Sequence, residues 1–465
     1  MALRPRQVLT PPSARTGVLA LVTAVLVAAG LLTVSWERLG NLTVAGYNAK
    51  LPVLLFSAAA LLAAPRWGRW LRQIRTRSAA VRWTALLAVA VVLVLVIRGL
   101  TSLPIGLGLA QIVAVASGAV APALALLASV RSASDVVWAL RWFVTGAVIA
   151  SLFGFYQLFA FYTGLPQGIT YTGVGTSGEG GRISAFNYEP AYFAYFIVLA
   201  IGAVIALARL TGRRVSWLAV VFFALVLVLV NVRALLFVLP LLTVLLALQW
   251  RANRRLLLRG LLAGVVVFGV VSLVPLAVVA AQDAAAPRAT STAADPAPSA
   301  GSSKETGPTV PTAPQLPTDV LDPSEPSSNG PRVELYKAVL AVDVQHLAIG
   351  VGPGHLRDAL AANGYVAPNQ GPNVVANNIW LQAAADGGVL LLALEGAVVV
   401  ALAVLWWRRR RTAAHPLASA LLAVLVVGGM LTSYFFDIKI WVVLALVLVL
   451  AEADQEADPA PTAAS

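Results

Sequence analysis

Long apolar runs, each near the length that crosses a bilayer, recur along most of the chain: residues 16–35, 44–64, 83–98, 104–129, 138–161, 189–208, 215–231, 233–250, 258–281, 385–407, 416–433 and 436–453. A hydrocarbon core of ~30 Å takes about 20 apolar residues as a helix. The pattern therefore predicts an all-α integral membrane protein with about twelve transmembrane helices. Run 104–129 reads either as one span or as two short pieces, and runs seven and eight form a tight pair around Asn231-Val232-Arg233. The first run is followed by further runs and no small-residue cleavage site is evident, so it reads as a retained helix rather than a leader.

The pattern breaks once, late in the chain. Residues 282–331 are Ala, Pro, Ser and Thr with almost no large apolar side chain; such a stretch cannot bury a core and reads as a disordered strap. From Arg332 to Val344 the apolar positions return at helical spacing, which predicts an amphipathic helix. A glycine turn, Gly350-Val-Gly-Pro-Gly354, and a second short helix at 355–363 follow. The predicted organisation is nine spans within 1–281, the strap at 282–331, a small helical cap at 332–376, three spans in 377–453 and an acidic tail at 454–465.

Composition agrees: 59% of the 465 residues are hydrophobic and 11% are charged, against about 25% charged in a soluble domain. The net charge of +13 would suggest a polyanionic partner if the cations were spread at random. They are not. Arg4, Arg6 and Arg15, six arginines between Arg66 and Arg82, Arg131 and Arg141, Arg209 to Arg214, Arg251 to Arg259 and Arg408 to Arg411 fall in alternate connections. With twelve spans these share one side with both termini, and the positive-inside rule makes that side cytoplasmic. The positive charge is mostly an orientation signal, so nucleic acid is not expected as a partner. Cys is absent and His occurs three times, which argues against disulfides, a Cys nucleophile and a histidine metal centre; no metal or cofactor is expected. No P-loop, dinucleotide fingerprint or HExxH motif is present.

Chemistry is then sought on the other face. Arg233 interrupts a nearly unbroken apolar stretch, either as a functional charge facing a cavity or as an interfacial arginine that snorkels at a helix end. Arg182 stands among glycines in Gly-Glu-Gly-Gly-Arg, ahead of Glu189-Pro190, which opens the sixth span. A guanidinium can grip a phosphate bidentately. Glu189 reads as a proton acceptor or arginine partner, or as a plain first-turn carboxylate. Asn377-Asn378-Ile-Trp-Leu-Gln382, with Asp386 beyond it, leads the chain back into the membrane and reads as site or as helix cap. Glu395 falls well inside the tenth span, and Asp437 lies between the last two.

In their order, the segments Arg182 to Tyr195, Arg332…Tyr336-Lys337-Ala338…His346…Gly350-x-Gly352-x-Gly354 and Asn377-Asn378-Ile-Trp-Leu-Gln382…Asp386-Gly-Gly388 resemble the bacterial O-antigen ligase and polymerase family. These are polytopic glycosyltransferases that use polyprenyl-diphosphate-linked glycans. The resemblance spans roughly residues 180–450. It implies that Arg182 and Arg233 hold the donor diphosphate, that Arg332 and Lys337 either add to that cationic field or form a solvated helix face, and that transfer occurs outside the cytoplasmic membrane onto a glycan or surface-molecule acceptor. The family's ligase histidine falls on Asn377, which cannot accept a proton at neutral pH but can orient a hydroxyl or phosphate. Glu189 is then the first candidate for a base and Asp386 the second. The last glycine of the third segment is Leu391. These departures favour a polymerase or a divergent acceptor over a ligase. A lipid-glycan flippase and a non-catalytic envelope scaffold are the competing classes; sugar, linkage and oligomeric state are not legible.

Overall fold

The computed structural model describes residues 17–38, 42–44, 47–73, 77–166, 168, 183–187, 189–230, 232, 234–248, 329–366, 374–431 and 435–456. The expected ninth span and almost all of the strap lie outside them, as do Arg182 and Arg233. The described residues are helical apart from one hairpin: α1 Val18–Leu32, β1 Leu42–Val44, β2 Tyr47–Ala49, α2 Leu51–Gln73, α3 Ala79–Thr101, α4 Ile105–Val115, α5 Ala121–Ser129, α6 Ala133–Thr163, α7 Pro190–Leu210, α8 Trp217–Val230, α9 Leu235–Ala247, α10 Asn329–Gln345, α11 Leu356–Ala362, α12 Ile379–Arg408, α13 Ala414–Val426 and α14 Ile438–Glu456. Six helices among them are long and apolar enough to cross a membrane: Leu51–Gly68, Ala79–Thr101, Ile105–Ser129, Ala133–Thr163, Pro190–Leu210 and Ile379–Arg408. Val18–Leu32, Trp217–Val230, Leu235–Ala247 and Ala414–Met430 are shorter apolar helices.

Three boundaries differ from the apolar runs, each for a local reason. The run at 44–64 begins as a hairpin, in which Leu42 pairs with Ala49 and Val44 with Tyr47, so its helix starts only at Leu51. The run at 104–129 is one helix with a π-turn at Ala116–Val120 between α4 and α5. Pro122 follows that turn; it has no N–H for the usual bond to Gly118, and a wider turn absorbs the missing donor. The run at 385–407 starts earlier, at Ile379, and breaks at Gly388, whose φ of 67° and ψ of −161° are not helical.

Packing follows from side-chain size and polarity. Helix α7 is the innermost: residues 192–206 are all buried, as are residues 438–451 of α14. A helix that is apolar all round belongs inside a bundle or against lipid. Helix α7 packs on α6, α8 and α13, while α12 lies along α3, α1 along α2, and α2 along α5. Helices α3 and α8 turn Leu86, Val89, Leu93, Ile97, Leu218 and Val221 outward, as lipid-facing surfaces require.

The cap lies over one end of this bundle. Helix α10 buries Leu335, Ala338, Val339 and Val342, spaced i, i+3, i+4 and i+7, against Leu356 and Leu360 of α11 and Ala385 of α12. The opposite end gathers arginine-bearing connections. Arg77 lies 3.9 Å from Glu452, and Arg209 donates to the Thr412 carbonyl at 3.2 Å.

Candidate functional site

At the cap end, chain segments far apart in sequence meet beneath α10. The Tyr336 hydroxyl lies 3.0 Å from the Asn377 carbonyl and 3.2 Å from that of Met430. Tyr195, one turn into α7, donates to the Gly428 carbonyl at 3.4 Å. Under this junction is a recess lined by Tyr192, Tyr195, Ile379, Asp437 and Lys439. The starts of α7, α12 and α14 and the end of α13 therefore share one mouth.

Glu189 stands at the N-cap position of α7, in extended backbone, with Pro190 as the first helical residue. Proline there costs no hydrogen bond, because first-turn N–H groups have no helical partner. The Glu189 side chain makes no cap hydrogen bond to the first-turn N–H groups. The segment before it is held tightly. Gln157 of α6 accepts from the Ala185 N–H at 2.8 Å and donates to the Ala185 carbonyl at 3.2 Å. Phe186 stacks on Phe153 with centroids 4.3 Å apart, and its carbonyl accepts from the N–H groups of Glu37 and Arg38.

Asn377 and Asn378 divide the roles left open at the start of α12. Asn378 is the cap: its Oδ1 accepts from the N–H groups of Trp380 at 2.9 Å and Leu381 at 3.3 Å. Asn377 has a left-handed backbone, φ 49°, and its carbonyl is the one that meets Tyr336. Gln382 stitches the turn, accepting from the Ala376 N–H at 3.0 Å and donating to Asp386 Oδ1 at 2.9 Å.

Asp386 belongs to a second recess, with Leu95, Gln111, Ile112, Pro353 and Phe436, and not to the mouth. It also faces the cap. Asp343 of α10 is 3% exposed, and neither carboxylate oxygen has a hydrogen-bond partner. Burial, and next the nearby Asp386 carboxylate, push the Asp343 carboxyl up to about 7. Glu395 is buried inside α12, where its Oε2 has no partner.

The glycine turn serves docking. Gly350, Gly352 and Gly354 have φ of 67°, 105° and 82°, a region that L side chains rarely enter. The N–H groups of Val351 and Gly352 both donate to the Ala385 carbonyl, at 2.7 and 3.1 Å, and Val389 donates to Leu347 at 2.8 Å. The kink at Gly388 admits this backbone: a Cβ there would lie 2.6 Å from the Ala348 carbonyl carbon. Arg98 of α3 donates to the Gly350 carbonyl at 3.2 Å, closing the third side.

Lys337, His346 and His355 do not line the recess at the mouth. Lys337 is exposed and paired with Glu334 at 2.7 Å, on the outer face of α10. Arg332 is in the first turn of α10, and its side chain lies outside the described residues. His346 is exposed, while His355 is buried beside Asp358. Among the described residues no group of three or more His, Cys, Asp or Glu side chains is placed to hold a metal ion.

The structure adds one cluster that sequence reasoning missed. Lys439 is buried, and its ammonium is held by Glu37, by Asp437 at 3.0 Å and by Asn187 at 3.2 Å. The only linear signal was that Lys439 opens an apolar helix, where a lone ammonium needs counter-charges; Glu37, 402 positions away, carries none.

The sequence was compared with known families and proteins. The family model described as O-antigen ligase matches residues 196–396. That match takes in most of α7, Arg233, the whole cap, Asn377, Asp386 and Glu395, and stops short of Arg182, Glu189 and Lys439. No curated protein matches the sequence. With the apolar helices that precede and follow the cap, the matched domain makes this a multi-pass protein of the bacterial inner membrane. Residues 196–396 match the O-antigen ligase family model, and this match supports assigning the chain to the O-antigen ligase and polymerase family.

Proposed function

We propose that the protein is a glycosyltransferase of envelope polysaccharide synthesis. It takes glycan from a polyprenyl-diphosphate donor on the outer face of the cytoplasmic membrane, and passes it to a hydroxyl of a second glycan. The observation that carries this reading is the meeting of the starts of α7, α12 and α14 at one recess at the cap end, lined by Tyr192, Tyr195, Ile379, Asp437 and Lys439, with residues 196–396 matching O-antigen ligase. The arginine-bearing connections at the opposite end support reading that end as cytoplasmic under the positive-inside rule, and the cap and the mouth as external.

In the reaction, the acceptor hydroxyl oxygen attacks the anomeric carbon of the donor sugar. The carbon–oxygen bond to the diphosphate breaks, and the polyprenyl diphosphate leaves with the bonding electron pair. Arg182 and Arg233 are assigned to the diphosphate, where two guanidinium groups stabilise the charge that grows on the leaving oxygen. The hydroxyl proton passes to Glu189. Asn377 offers a hydrogen bond that orients acceptor or phosphate and takes no proton. Asp386 is the weaker choice of base, because it faces the second recess and is bound by Gln382.

The test is transfer from a synthetic polyprenyl-diphosphate glycan by the purified protein. Arg182→Ala and Arg233→Ala are each expected to abolish the new glycosidic bond at unchanged protein level, and Glu189→Gln to slow it by about 100-fold or more. Full activity in either arginine variant overturns the donor site. Movement of lipid-linked glycan across vesicles without any new bond identifies a transporter instead.

A further inference from the structure

The most deeply placed ammonium among the described residues takes no part in that scheme. Lys439 is 2% exposed and sits in the first turn of α14. Its three polar partners come from three separate stretches: Glu37 after α1, Asn187 before α7 and Asp437 beside it. The Tyr192 ring centroid lies 5.7 Å from the ammonium. A buried cation is stable only where paired charges and hydrogen bonds offset its lost hydration. Here two carboxylates do so, and Asn187 is the one neutral oxygen in the set.

That neutral contact is informative. Residues 183–187 form no regular element, so each polar group there needs an individual partner. Gln157 holds Ala185, which has a φ of 49° although it is not glycine, and the stack on Phe153 holds Phe186. Asn187 is held from the α14 side by the lysine. In sequence this stretch is bounded by Arg182 and Glu189, the two groups assigned to the diphosphate and to the proton.

We propose that Lys439, clamped by Glu37 and Asp437, is a positioning residue for transfer: through Asn187 it fixes the segment that sets where Glu189 and the start of α7 meet the lipid-diphosphate donor. This rests on the donor reading above. Loosening a segment that presents the donor weakens ground-state and transition-state binding alike, which reads as a raised KM with kcat little changed, so a fastener remote from the bond itself becomes visible in kinetics.

The experiment uses the full chain in detergent or nanodiscs with a synthetic polyprenyl-diphosphate glycan as varied substrate. Asn187→Ala removes the lysine's hold on the segment together with the Asn187 Nδ2 bond to the Ser184 carbonyl, and Asn187→Asp, which keeps an oxygen for the lysine, is the companion variant expected to retain a near-normal donor KM. Glu37→Gln with Lys439→Met removes one charge of each sign. Asn187→Ala and this paired variant are each expected to raise donor KM by about tenfold while kcat per folded molecule changes by less than about threefold. Lys439→Arg, which keeps the charge, is expected to restore part of the loss. Unchanged donor KM in Asn187→Ala overturns the proposal even if the paired variant fails to fold. A fall in activity that only tracks the folded fraction overturns it too, because a merely structural lysine predicts that. Arg233→Ala run in parallel separates the two levels. If it is inactive while Asn187→Ala is normal, only the positioning role fails; if it is fully active, the donor reading fails as well.

Discussion

Replacing Gly388 by alanine should detach the cap from the bundle. The residue holds φ 67° and ψ −161° inside α12, a conformation essentially restricted to glycine that costs a side-chain residue of order 1–3 kcal/mol. A Cβ would stand 2.6 Å from three backbone atoms at Ala348 and Ile349, none of which can rotate away. The cap backbone must retreat, and the bonds Val351 to Ala385, Gly352 to Ala385 and Val389 to Leu347 go with it. At about 1 kcal/mol each these add roughly 3 kcal/mol, for a total of about 4–6 kcal/mol. Gly396→Ala, in the same helix with nothing within 4 Å of the added carbon, is the control; alanine there should be neutral or stabilising by up to about 1 kcal/mol. Hydrogen exchange read by mass spectrometry on peptides covering 347–353 and 386–390 gives the answer, with glycan transfer measured alongside. Gly388→Ala should expose both peptides and abolish transfer. If protection and activity match the control, the docking of the glycine turn into the kink is not what holds the cap.

Two further outcomes are expected. Asp343 is neutral when docked up to about pH 7 but ionises near its ordinary value, about 4, once undocked. Its contribution to docking is therefore complete below that lower value and is lost as pH rises to about 7. Exchange of the 347–353 peptide should quicken over that window in the wild type and lose this dependence in Asp343→Asn; the same pH profile in both excludes Asp343 as the titrating group. Asn378→Ala removes the only side-chain cap of α12 and should lower stability by about 1 kcal/mol, a small drop in melting temperature with transfer retained; loss of transfer at wild-type stability would instead place Asn378 in the chemistry.

Much of the fold was legible along the chain, because the signals for it are local. Run length decides whether a segment can span a bilayer, and the bilayer imposes that rule on each segment separately. The i, i+3, i+4, i+7 spacing of Leu335, Ala338, Val339 and Val342 marked the buried face of α10 without any knowledge of what covers it. Glu189-Pro190 and Asn378 announced helix starts through the chemistry of first-turn N–H groups. The glycines at 350, 352 and 354 announced a turn, but not its purpose: only the arrangement of α12 shows that they let backbone reach Ala385. Asp386 read as the second candidate for a base, whereas the run of the helix from Ile379 to Gly388 carries it to a different recess. Lys439 and Glu37 are the extreme case. Nothing near either residue requires the other, and the demand that a buried ammonium be neutralised can be met by any carboxylate the bundle brings within reach. The sequence by itself determined which stretches are apolar, helical and capped, since those depend on neighbours a few positions away. Which polar groups share a site was decided only by the tertiary structure, because desolvation and charge pairing act between atoms that helix packing, and not chain order, makes adjacent.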